Sequence, residues 1–466
     1  MLKLSVLEIA RIVSAEVFGN GEVAISASVE TDSRKITHGS LFVAKRGEVT
    51  DGHLFIDSAI ENGAVAVLVE HRVQQDIPQL VVADVVKALG LLAMYVVAEV
   101  KSKGKLQVIG VTGSNGKTTT KNMLREILSN SGSTVSPEES FNNEVGAPYS
   151  MLKINEQTNY LVVELGAGGP GSIRYLTQMC NPDIGIELKV GLAHAGEFGG
   201  IENTTNIKAE LVEEISADSI ALLNIDDTRV MQMQPRTKAR IVSFGTNKDA
   251  MYRATDISGS IVGTSFNFHS PKHLPVKVQL RILGEHHVYN ALASLASADL
   301  LGLDISSAIT ALESMQIAER WRMELGYRSD GLTVINDAYN ASPESVRAAL
   351  QTLAELGRQS GKKTVAVIGE MAELGEYSVA EHDAIGRVVV RLNLGQLVVV
   401  GSKAKMVHMG ASLEGSWDGE SKYFEQISEA EAYLREMLTG EEIVLVKSSK
   451  SANLRYLGDS LLEENK

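Results

Sequence analysis

Short apolar runs alternate with longer segments of helical periodicity along most of the 466 residues. Within the first hundred residues, this pattern predicts a strand at 40–44, a short helix at 55–62 and a strand at 64–69. The apolar segment 88–98 is too short to span a bilayer, so it predicts a buried helix. The polar, glycine-containing segment 101–105 that follows is typical of a linker.

A second unit is predicted to begin at the apolar run 106–111, which has the pattern of a strand. A glycine-rich turn follows, then a predicted helix at 117–129 and a predicted strand at 160–164 that ends on a carboxylate. The remaining elements predicted for this unit are strands at 220–224 and 241–244 and an alanine-rich closing helix at 288–300.

A third unit is predicted to start near Arg320. Its predicted strands lie at 333–336, 364–368, 397–400 and 443–446, and its predicted helices at 345–356, 380–392 and 427–438. Strands and helices that alternate in this way indicate a doubly wound parallel sheet. The pattern therefore predicts an α/β protein.

Composition and charge narrow the function classes. Domains usually hold about 100–200 residues, so two to four domains are expected here, and three is the first expectation. A net charge of -14 repels phosphate backbones and argues against nucleic-acid binding. The single cysteine, Cys180, excludes an internal disulfide and a multi-cysteine metal site. Lys3, Glu8 and Arg11 interrupt the apolar core that a signal peptide needs, so a cytoplasmic protein without membrane insertion is expected.

The strongest chemical signal is the turn between the first strand and helix of the second unit. Glycines let backbone N–H groups converge on phosphate oxygens, and the helix N-terminus adds partial positive charge. Lys117 can reach the outer phosphates, and the Thr118 hydroxyl can bind magnesium. Val111 stands where the general phosphate-loop pattern has its outer glycine, so Gly113 and Gly116 form a tighter version. The strand before the turn and the run of threonines after it disfavour an ordinary turn with a solvated lysine.

The segment 112–119, TGSNGKTT, resembles the ATP loop of the Mur ligases and folylpolyglutamate synthetases, and the resemblance to Mur ligases extends over nearly the whole chain. The segments 142–146, NNEVG, and 162–167, VVELGA, are similar to the NNxxG and ELGA motifs of that family. The resemblance implies a three-domain α/β architecture. The implied domains are a small UDP-binding α/β domain at 1–104, a central parallel-sheet ATPase-like domain at 105–318 and a Rossmann-like doubly wound domain at 319–466.

The resemblance also implies roles for individual residues. Thr118 and Glu164 would hold magnesium, and His194 matches a histidine near a second metal. Lys208 matches a lysine that is often carbamylated in the family and then helps to position magnesium. The residues expected to bind ATP are Gly113, Ser114, Asn115, Gly116, Lys117, Thr118, Thr119, Asn290, Arg322, Asp337 and Asn340. The residues expected to act in catalysis are Lys117, Lys208, His194 and Asp337.

Two segments resemble the members of the family that add D-alanyl-D-alanine. These are 337–343, DAYNASP, and 369–375, GEMAELG, with the later His382. The expected contacts to the UDP substrate are Ser33, Arg34, Gly47, Asp51, His53, Asn142 and Asn143. The resemblance implies a monomer that uses ATP and Mg²⁺ to ligate D-alanyl-D-alanine to UDP-N-acetylmuramoyl-tripeptide through an acyl phosphate, in peptidoglycan precursor synthesis.

Departures from the family pattern keep two alternatives open. The departures are GGPGS at 168–172, Lys189, His287, Glu370 and KSSK at 447–450. One alternative is a related ligase that adds another amino acid or peptide to a nucleotide-linked acceptor, and the other is a nucleotide-binding homologue without turnover. Simpler structural roles are turn caps for Asp337 and Asn340, packing for His194, a surface pair of Lys208 with Glu210, and a surface ion pair for Arg34.

Overall fold

The computed structural model describes residues 1–47, 50–137, 140–315, 320–415 and 417–463. Three consecutive α/β units are built on three large β-sheets. The predicted boundary at 104/105 falls between a helix that ends at Ser102 and a strand that begins at Gln107. The other predicted boundary, 318/319, lies outside the described residues.

The first unit holds a five-stranded sheet. Its elements are β1 (Leu4–Ser5), α1 (Val6–Val13), β2 (Glu16–Phe18), β3 (Ala24–Ile25), β4 (Val29–Glu30), β5 (Ser40–Val43), α2 (Ile56–Glu61), β6 (Ala64–Val69), β7 (Gln79–Val81) and α3 (Val85–Ser102). The sheet order is β2-β7-β6-β5-β4, with β2 antiparallel at one edge, while β1 and β3 form a separate pair. The predicted elements at 40–44, 55–62 and 64–69 are confirmed as β5, α2 and β6.

Helix α3 joins the first unit to the second through packing. Val97 on its buried face belongs to the same hydrophobic cluster as Met179 of the second unit. Lys101 adds an ion pair, with its Nζ 2.9 Å from Oδ1 of Asp183. The buried helix predicted at 88–98 is confirmed, but the linker predicted at 101–105 is wrong in part because the helix covers its first two residues.

The second unit holds a nine-stranded sheet. Its elements are β8 (Gln107–Thr112), α4 (Lys117–Ser129), β9 (Thr134–Val135), α5 (Gly146–Met151), β10 (Tyr160–Glu164), α6 (Ser172–Cys180), β11 (Ile184–Glu187), α7 (Ala195–Phe198), α8 (Ile201–Glu214), β12 (Ile220–Asn224), α9 (Thr228–Met231), β13 (Arg240–Gly245), β14 (Tyr252–Ser260), β15 (Gly263–His269), β16 (Val276–Leu280), α10 (His287–Leu300) and α11 (Ile305–Ser314). The order is β16-β15-β14-β13-β12-β11-β8-β10-β9, parallel from β9 to β14. Strands β10 and β11 flank β8, so their carboxyl ends meet beside the glycine-rich turn.

Part of the second unit was not predicted. Strands β14, β15 and β16 pair antiparallel with one another at the sheet edge, and several of their side chains face solvent. Their apolar runs are therefore interrupted, which hides them from a search for buried strands. The expectation that α10 closes the unit is wrong, because α11 follows it.

The third unit holds a six-stranded sheet. Its elements are β17 (Glu324–Tyr327), β18 (Thr333–Asn336), α12 (Pro343–Ser360), β19 (Lys363–Ile368), α13 (Ser378–Arg391), β20 (Gln396–Val400), α14 (Lys405–Leu413), β21 (Glu420–Phe424), α15 (Ile427–Met437), β22 (Glu442–Lys447) and α16 (Leu454–Ser460). The order is β17-β18-β22-β19-β20-β21, with β17 antiparallel and the other strands parallel. The predicted doubly wound sheet is confirmed, and β17, α14, β21 and α16 are elements that were not predicted.

Short 3-10 turns lie at Ser33–Lys35, Gly52–Phe55, Gln234–Arg236, Gly375–Tyr377, Ser402–Ala404 and Lys450–Ala452. Among the helices of the described ranges, none has the length and apolar character needed to cross a membrane.

Candidate active site

The glycine-rich turn between β8 and α4 forms a tight loop. Gly113 and Gly116 have φ values of +149° and +89°, which favour glycine. A Cβ on Gly116 would lie 2.4 Å from Oδ1 of Asn290, so the close packing at this point also requires glycine. Helix α4 begins at Lys117 without a side-chain cap, which leaves its first-turn N–H groups for another acceptor.

Lys117 folds back over this loop. Its Nζ donates a hydrogen bond to the carbonyl oxygen of Gly113 at 2.7 Å. Burial lowers the pKa of Lys117, although the charge of Glu164 opposes the shift. A poorly hydrated ammonium group interacts strongly with an anion, so Lys117 is placed to exchange the carbonyl for a phosphate oxygen.

Glu164, at the carboxyl end of β10, is only 1% exposed. Its Oε1 accepts a hydrogen bond from Nδ2 of Asn142 at 2.8 Å and another from the Thr118 hydroxyl at 3.4 Å. Its Oε2 is buried and accepts no hydrogen bond from the described residues. A buried carboxylate oxygen without a partner is costly, and carboxylate and hydroxyl oxygens are ligands that Mg²⁺ prefers. The residues at this point fit a magnesium ion.

The third unit closes over the loop. Nη2 of Arg322 donates a hydrogen bond to the Thr118 hydroxyl at 3.4 Å, and the guanidinium lies 4.4 Å from the ring centroid of Tyr339. Ser342 donates a hydrogen bond to Oδ1 of Asn115 at 3.1 Å. A cation from the third unit therefore lies beside the first turn of α4.

Asp337 and Asn340 are held by a buried lysine. Nζ of Lys447, which is 2% exposed, lies 2.6 Å from Oδ2 of Asp337 and donates to the carbonyl oxygen of Asn340 at 2.9 Å. Oδ1 of Asp337 accepts a hydrogen bond from the N–H of Met323 at 3.1 Å. Lys447 thus fixes the segment that follows β18 against the end of β22.

Most of these groups border one open cleft. Every residue expected to bind ATP, except Gly113, lines it. Glu164, Asn142 and His194 line it as well. An adjoining compartment shares several wall residues with this cleft, including Asn290, and is completed by other residues that include Leu188 and Asp226.

Asn290 lies between the two compartments. Its Oδ1 accepts a hydrogen bond from the Thr120 hydroxyl at 3.3 Å, and its Nδ2 lies 3.1 Å from Nδ1 of His287. Burial lowers the pKa of His286 to about 4 and holds that of His287 well below its usual range. Both imidazoles are therefore neutral at pH 7 and add no positive charge to the cleft.

His194 borders the cleft, whereas Lys208 is not among the described residues that line it. Nδ1 of His194 is 2.5 Å from Oε2 of Glu373, which belongs to the third unit. Lys208 is 2% exposed, and burial lowers its pKa to about 7. Lys117 adds to this shift and Glu187 opposes it. Burial therefore favours the neutral amine of Lys208.

Glu210 is not the partner of Lys208. Its two carboxylate oxygens accept hydrogen bonds from the N–H groups of Gly171 at 2.6 Å and Arg174 at 2.9 Å, at the start of α6. The interpretation of Lys208 and Glu210 as a surface ion pair is therefore wrong. Both residues are buried, and Glu210 caps the start of α6 instead.

A second groove, of about 810 Å³, lies between the first and second units. Its walls are formed by Glu30, Thr31, Asp32, Lys35, Lys45, Phe141, Asn143, Val145, Gly146 and Tyr149. Burial raises the pKa of Glu30, although a hydrogen bond from Tyr149 opposes this shift. Asn143 lines the groove and Asn142 lines the cleft, so two consecutive residues connect the two sites.

Most other residues expected to contact the UDP substrate pair with their neighbours. The Arg34 side chain is 85% exposed and binds Asp32 through Nε at 2.9 Å and Nη2 at 2.8 Å, which lowers the pKa of Asp32 to about 2. Nδ1 of His53 lies 2.6 Å from Oδ1 of Asp51. Ser33 is buried. Arg34 therefore forms the surface ion pair with Asp32 that is the simpler interpretation of this residue.

Gly47 also has a local role. Its N–H donates to the carbonyl oxygen of Thr50 at 2.8 Å. Gly47, Ser33, Arg34, Asp51 and His53 are absent from the groove wall formed by the described residues. The groove instead presents Lys35 and Lys45, two cations that were not predicted.

Sequence profiles of three Mur ligase domains match the chain. They are the family's catalytic domain at 26–98, the Mur ligase middle domain at 111–298 and the glutamate ligase domain at 321–450. The UDP-N-acetylmuramoyl-tripeptide--D-alanyl-D-alanine ligase of Mycobacterium leprae is 38% identical over 95% of this chain and 94% of its own. The chain belongs to the Mur ligase family.

Solved structures agree with this assignment. MurF from Acinetobacter baumannii is 31% identical and matches with a TM-score of 0.90. The match covers 99% of this chain and 99% of that one. MurF from Thermotoga maritima, in complex with ADP, is 28% identical with a TM-score of 0.79, over 93% of this chain and 96% of that one. The expected family and three-domain architecture are confirmed, and this Mur ligase is an ATP-dependent enzyme that forms amide bonds.

Two charged residues near the cleft of this Mur ligase were not predicted. Lys447 ends β22, and Glu187 ends β11 opposite Thr112 of β8. Glu187 is 0% exposed, and neither of its carboxylate oxygens has a hydrogen-bond partner within the described ranges. Lys447 and Glu187 each stand at the end of an apolar strand, and this position is the sequence signal that could have indicated them.

Proposed function

We propose that this Mur ligase joins D-alanyl-D-alanine to UDP-N-acetylmuramoyl-tripeptide, with ATP and Mg²⁺, in peptidoglycan precursor synthesis. It acts as a monomer in the cytoplasm, with a UDP-binding domain at 1–104, an ATP-binding domain at 105–318 and a ligase domain at 319–466. Similarity to the Mycobacterium leprae ligase over 95% of the chain supports this choice of substrates.

The position of the Thr118 hydroxyl carries the proposal. It lies 3.4 Å from a carboxylate oxygen of Glu164 in the central domain and 3.4 Å from a guanidinium nitrogen of Arg322 in the third. A centre for phosphoryl transfer needs a metal-binding oxygen and a cation at one point, shielded from water. Here the two are supplied by different domains, as expected for an enzyme that closes on its substrates.

ATP binds with its phosphates on the loop and its adenosine in the adjoining compartment. The N–H groups of 115–118 meet the phosphates, and Lys117 reaches the outermost of them. Asn290 lies at the entrance to the adenosine compartment. Asp337 and Asn340 approach the nucleotide from the third domain, in positions that Lys447 fixes.

Thr118 and Glu164 would hold one magnesium ion, and His194 and Lys208 would serve a second if Lys208 is carbamylated. The unpartnered Oε2 of Glu164 supports the first site. The second is supported by the pKa of Lys208, about 7, because only a neutral amine can add to CO₂. Magnesium bound here would neutralise phosphate charge.

The residues of the cleft suit a reaction without an enzyme nucleophile. A carboxylate oxygen of the acceptor peptide attacks the γ-phosphorus, the bond to the bridging oxygen breaks, and ADP leaves. The neutral amine of the dipeptide then attacks the acyl carbon, phosphate leaves with its oxygen, and a proton is released. Lys117 and Arg322 offset the negative charge that develops, so positioning and charge neutralisation supply the catalysis.

The UDP end of the acceptor binds in the first-domain groove. Lys35 and Lys45 offer cations to its diphosphate, with Ser33 and Arg34 beside them on the same 3-10 turn as Lys35. The peptide then passes along Asn143 and Asn142 into the cleft. The acceptor carries a nucleotide at one end and the reacting carboxylate at the other, which suits two sites joined in this way.

The product mass tests this function directly. The purified enzyme is given ATP, Mg²⁺, D-alanyl-D-alanine and a UDP-N-acetylmuramoyl-tripeptide with either lysine or diaminopimelate at its third position. We expect a product heavier by the dipeptide minus one water, with one phosphate released for each product molecule. Phosphate release with single amino acids but not with the dipeptide would point to a related ligase, and ATP binding without any phosphate release would contradict catalysis.

A further inference from the structure

A segment of the central domain is held by the third domain at three of its residues. We call 191–197 the histidine segment, because His194 lies at its centre. The N–H of Leu192 donates to Oε1 of Glu344 at 3.0 Å, and the N–H of Gly196 donates to the carbonyl oxygen of Glu373 at 3.1 Å. Between these two contacts, Nδ1 of His194 lies 2.5 Å from Oε2 of Glu373.

The histidine segment and the third-domain loop that carries Glu373 are in close contact. A Cβ on Gly196 would lie 2.2 Å from the backbone nitrogen of Gly375, so a larger residue would separate the loops. His194 and Glu373 have φ values of +62° and +66°, in the left-handed region that residues with a Cβ rarely adopt. Unfavourable backbone conformations of this kind are retained where the surrounding structure requires them, often at functional sites.

The third domain also fixes the loop that carries Glu373. Nε2 of His382, which is fully buried, accepts a hydrogen bond from the N–H of Met371 at 3.0 Å. The Ala372 N–H donates to the Ser449 hydroxyl at 2.9 Å. Glu373 is therefore presented by a pre-formed loop, and it meets His194 only when the two domains are together.

We propose that Glu373 is a positioning residue that orients His194 for its metal when the third domain closes. A neutral imidazole has one N–H donor and one nitrogen acceptor. The carboxylate of Glu373 takes the N–H at Nδ1, which leaves the lone pair of Nε2 for the cation. Carboxylates commonly hold metal-binding histidines in this way. The inference rests on the proposed function only in that it takes His194 as a magnesium ligand.

A neighbouring carboxylate does not replace Glu373 in this role. Glu197 Oε2 is 3.5 Å from Nδ1 of His194, which is at the outer limit of a hydrogen bond. Glu197 also lies on the short helix α7 of the central domain, as the residue third after His194, so its contact is independent of domain closure. Only Glu373 links the orientation of the imidazole to the position of the third domain.

Mn²⁺ binding tests the proposal without turnover. Affinity is measured by calorimetry with a non-hydrolysable ATP analogue present, for the parent chain, Glu373→Gln and Glu373→Gly. We expect both variants to bind Mn²⁺ about 10-fold more weakly, the usual effect of removing a partner that orients a metal ligand. Glycine accepts a positive φ, so Glu373→Gly removes the carboxylate without straining the loop. Glu376→Gln, an exposed glutamate of the same loop, is the matched control and should bind as the parent does.

A double-mutant cycle shows whether Glu373 acts through His194. If it does, Glu373→Gln should cause no further loss of Mn²⁺ affinity in a His194→Ala background. Equal affinities of the parent and both Glu373 variants would overturn the proposal, and so would losses that add in the double mutant. Failure of the parent to bind Mn²⁺ would also overturn it. The product mass decides the proposed function separately, because it does not depend on His194 being a ligand.

Discussion

Charged groups in the nucleotide cleft and in the loops around the first-domain groove differ in whether they have partners within the protein. In the cleft, Glu164 keeps a buried carboxylate oxygen for which the described part of the chain offers no partner. Around the groove, Arg34 binds Asp32 and His53 binds Asp51. Groups that pair internally stabilise their own loops, whereas a buried group left unpaired is available to a ligand. The groove wall also keeps one such oxygen, Oε2 of Glu30, without a partner among the described residues. The comparison therefore separates both binding sites from the loops beside the groove, whose charged groups pair with one another.

Lys117→Ala should have the largest effect. Loss of the cation beside the outer phosphates should lower kcat about 1000-fold, the upper range for removing one group that stabilises developing charge. Phosphate release at saturating substrates measures the effect, with circular dichroism to show that the fold is retained. Lys248→Ala, which changes an exposed lysine of the same domain, is the control. A Lys117→Ala enzyme with nearly full kcat would remove this residue from the proposed mechanism.

Glu164→Gln should be the next most harmful change. Glutamine can still accept the hydrogen bond from Asn142, but it lacks the charge that attracts Mg²⁺. We expect kcat to fall about 100-fold, with more Mg²⁺ needed for half-maximal rate. The measurement is the rate as a function of Mg²⁺ concentration, with the exposed Glu202→Gln as control. An unchanged Mg²⁺ requirement would contradict the assignment of Glu164.

Carbamylation of Lys208 should depend on pH. Its pKa of about 7 means that the neutral amine predominates above pH 7 and is lost as the pH falls. At a fixed concentration of dissolved CO₂, the carbamate should therefore decline between pH 8 and pH 6, because the neutral amine that forms it falls ~10-fold. Carbon-13 NMR with labelled CO₂ detects it, and Lys208→Arg should abolish the signal. A carbamate signal that persists in Lys208→Arg would assign the modification to another residue.

Lys45→Ala should have a smaller effect than the changes in the cleft. Compared with Arg34→Ala, it shows whether the substrate binds to the wall of the groove or to the exposed turn beside it. Loss of one cation at an open groove should raise the KM for the UDP-linked acceptor about 10-fold, with little change in kcat, as expected when binding alone is weakened. Arg34→Ala should change the KM less than 3-fold, because exposed ion pairs contribute little. Initial rates over a range of acceptor concentrations measure both. A larger effect for Arg34→Ala would place the diphosphate on the exposed turn instead.

The residues that the sequence predicts to bind ATP lie together, apart from Gly113, in one cleft because much of its chemistry is local. A strand, a glycine-rich turn and a helix follow one another directly, so the positions of Lys117 and Thr118 follow from their order in the chain. Glu164 could be placed beside them because parallel strands end at the same edge of a sheet. Lys447 was missed although it pairs with Asp337, because the two residues are far apart in sequence and meet only through the strand order of the third unit.

The groove was harder to predict for a physical reason. Motif residues such as Asp51 and His53 form hydrogen bonds within one short turn, and a sequence pattern does not distinguish that role from substrate binding. The wall of the groove instead combines Lys45 of the first unit with Phe141 and Tyr149 of the second. Their proximity depends on how α3 packs the two units together, which no local pattern records.

The most direct test of the central claim is a crystal structure with a non-hydrolysable ATP analogue and Mg²⁺. The account predicts β- and γ-phosphate oxygens about 2.7–3.2 Å from the N–H groups of 115–118 and from Nζ of Lys117. It also predicts Mg²⁺ bound to the Thr118 hydroxyl and to Glu164, directly or through water. A triphosphate located away from this loop, with Glu164 still without a cation, would contradict it.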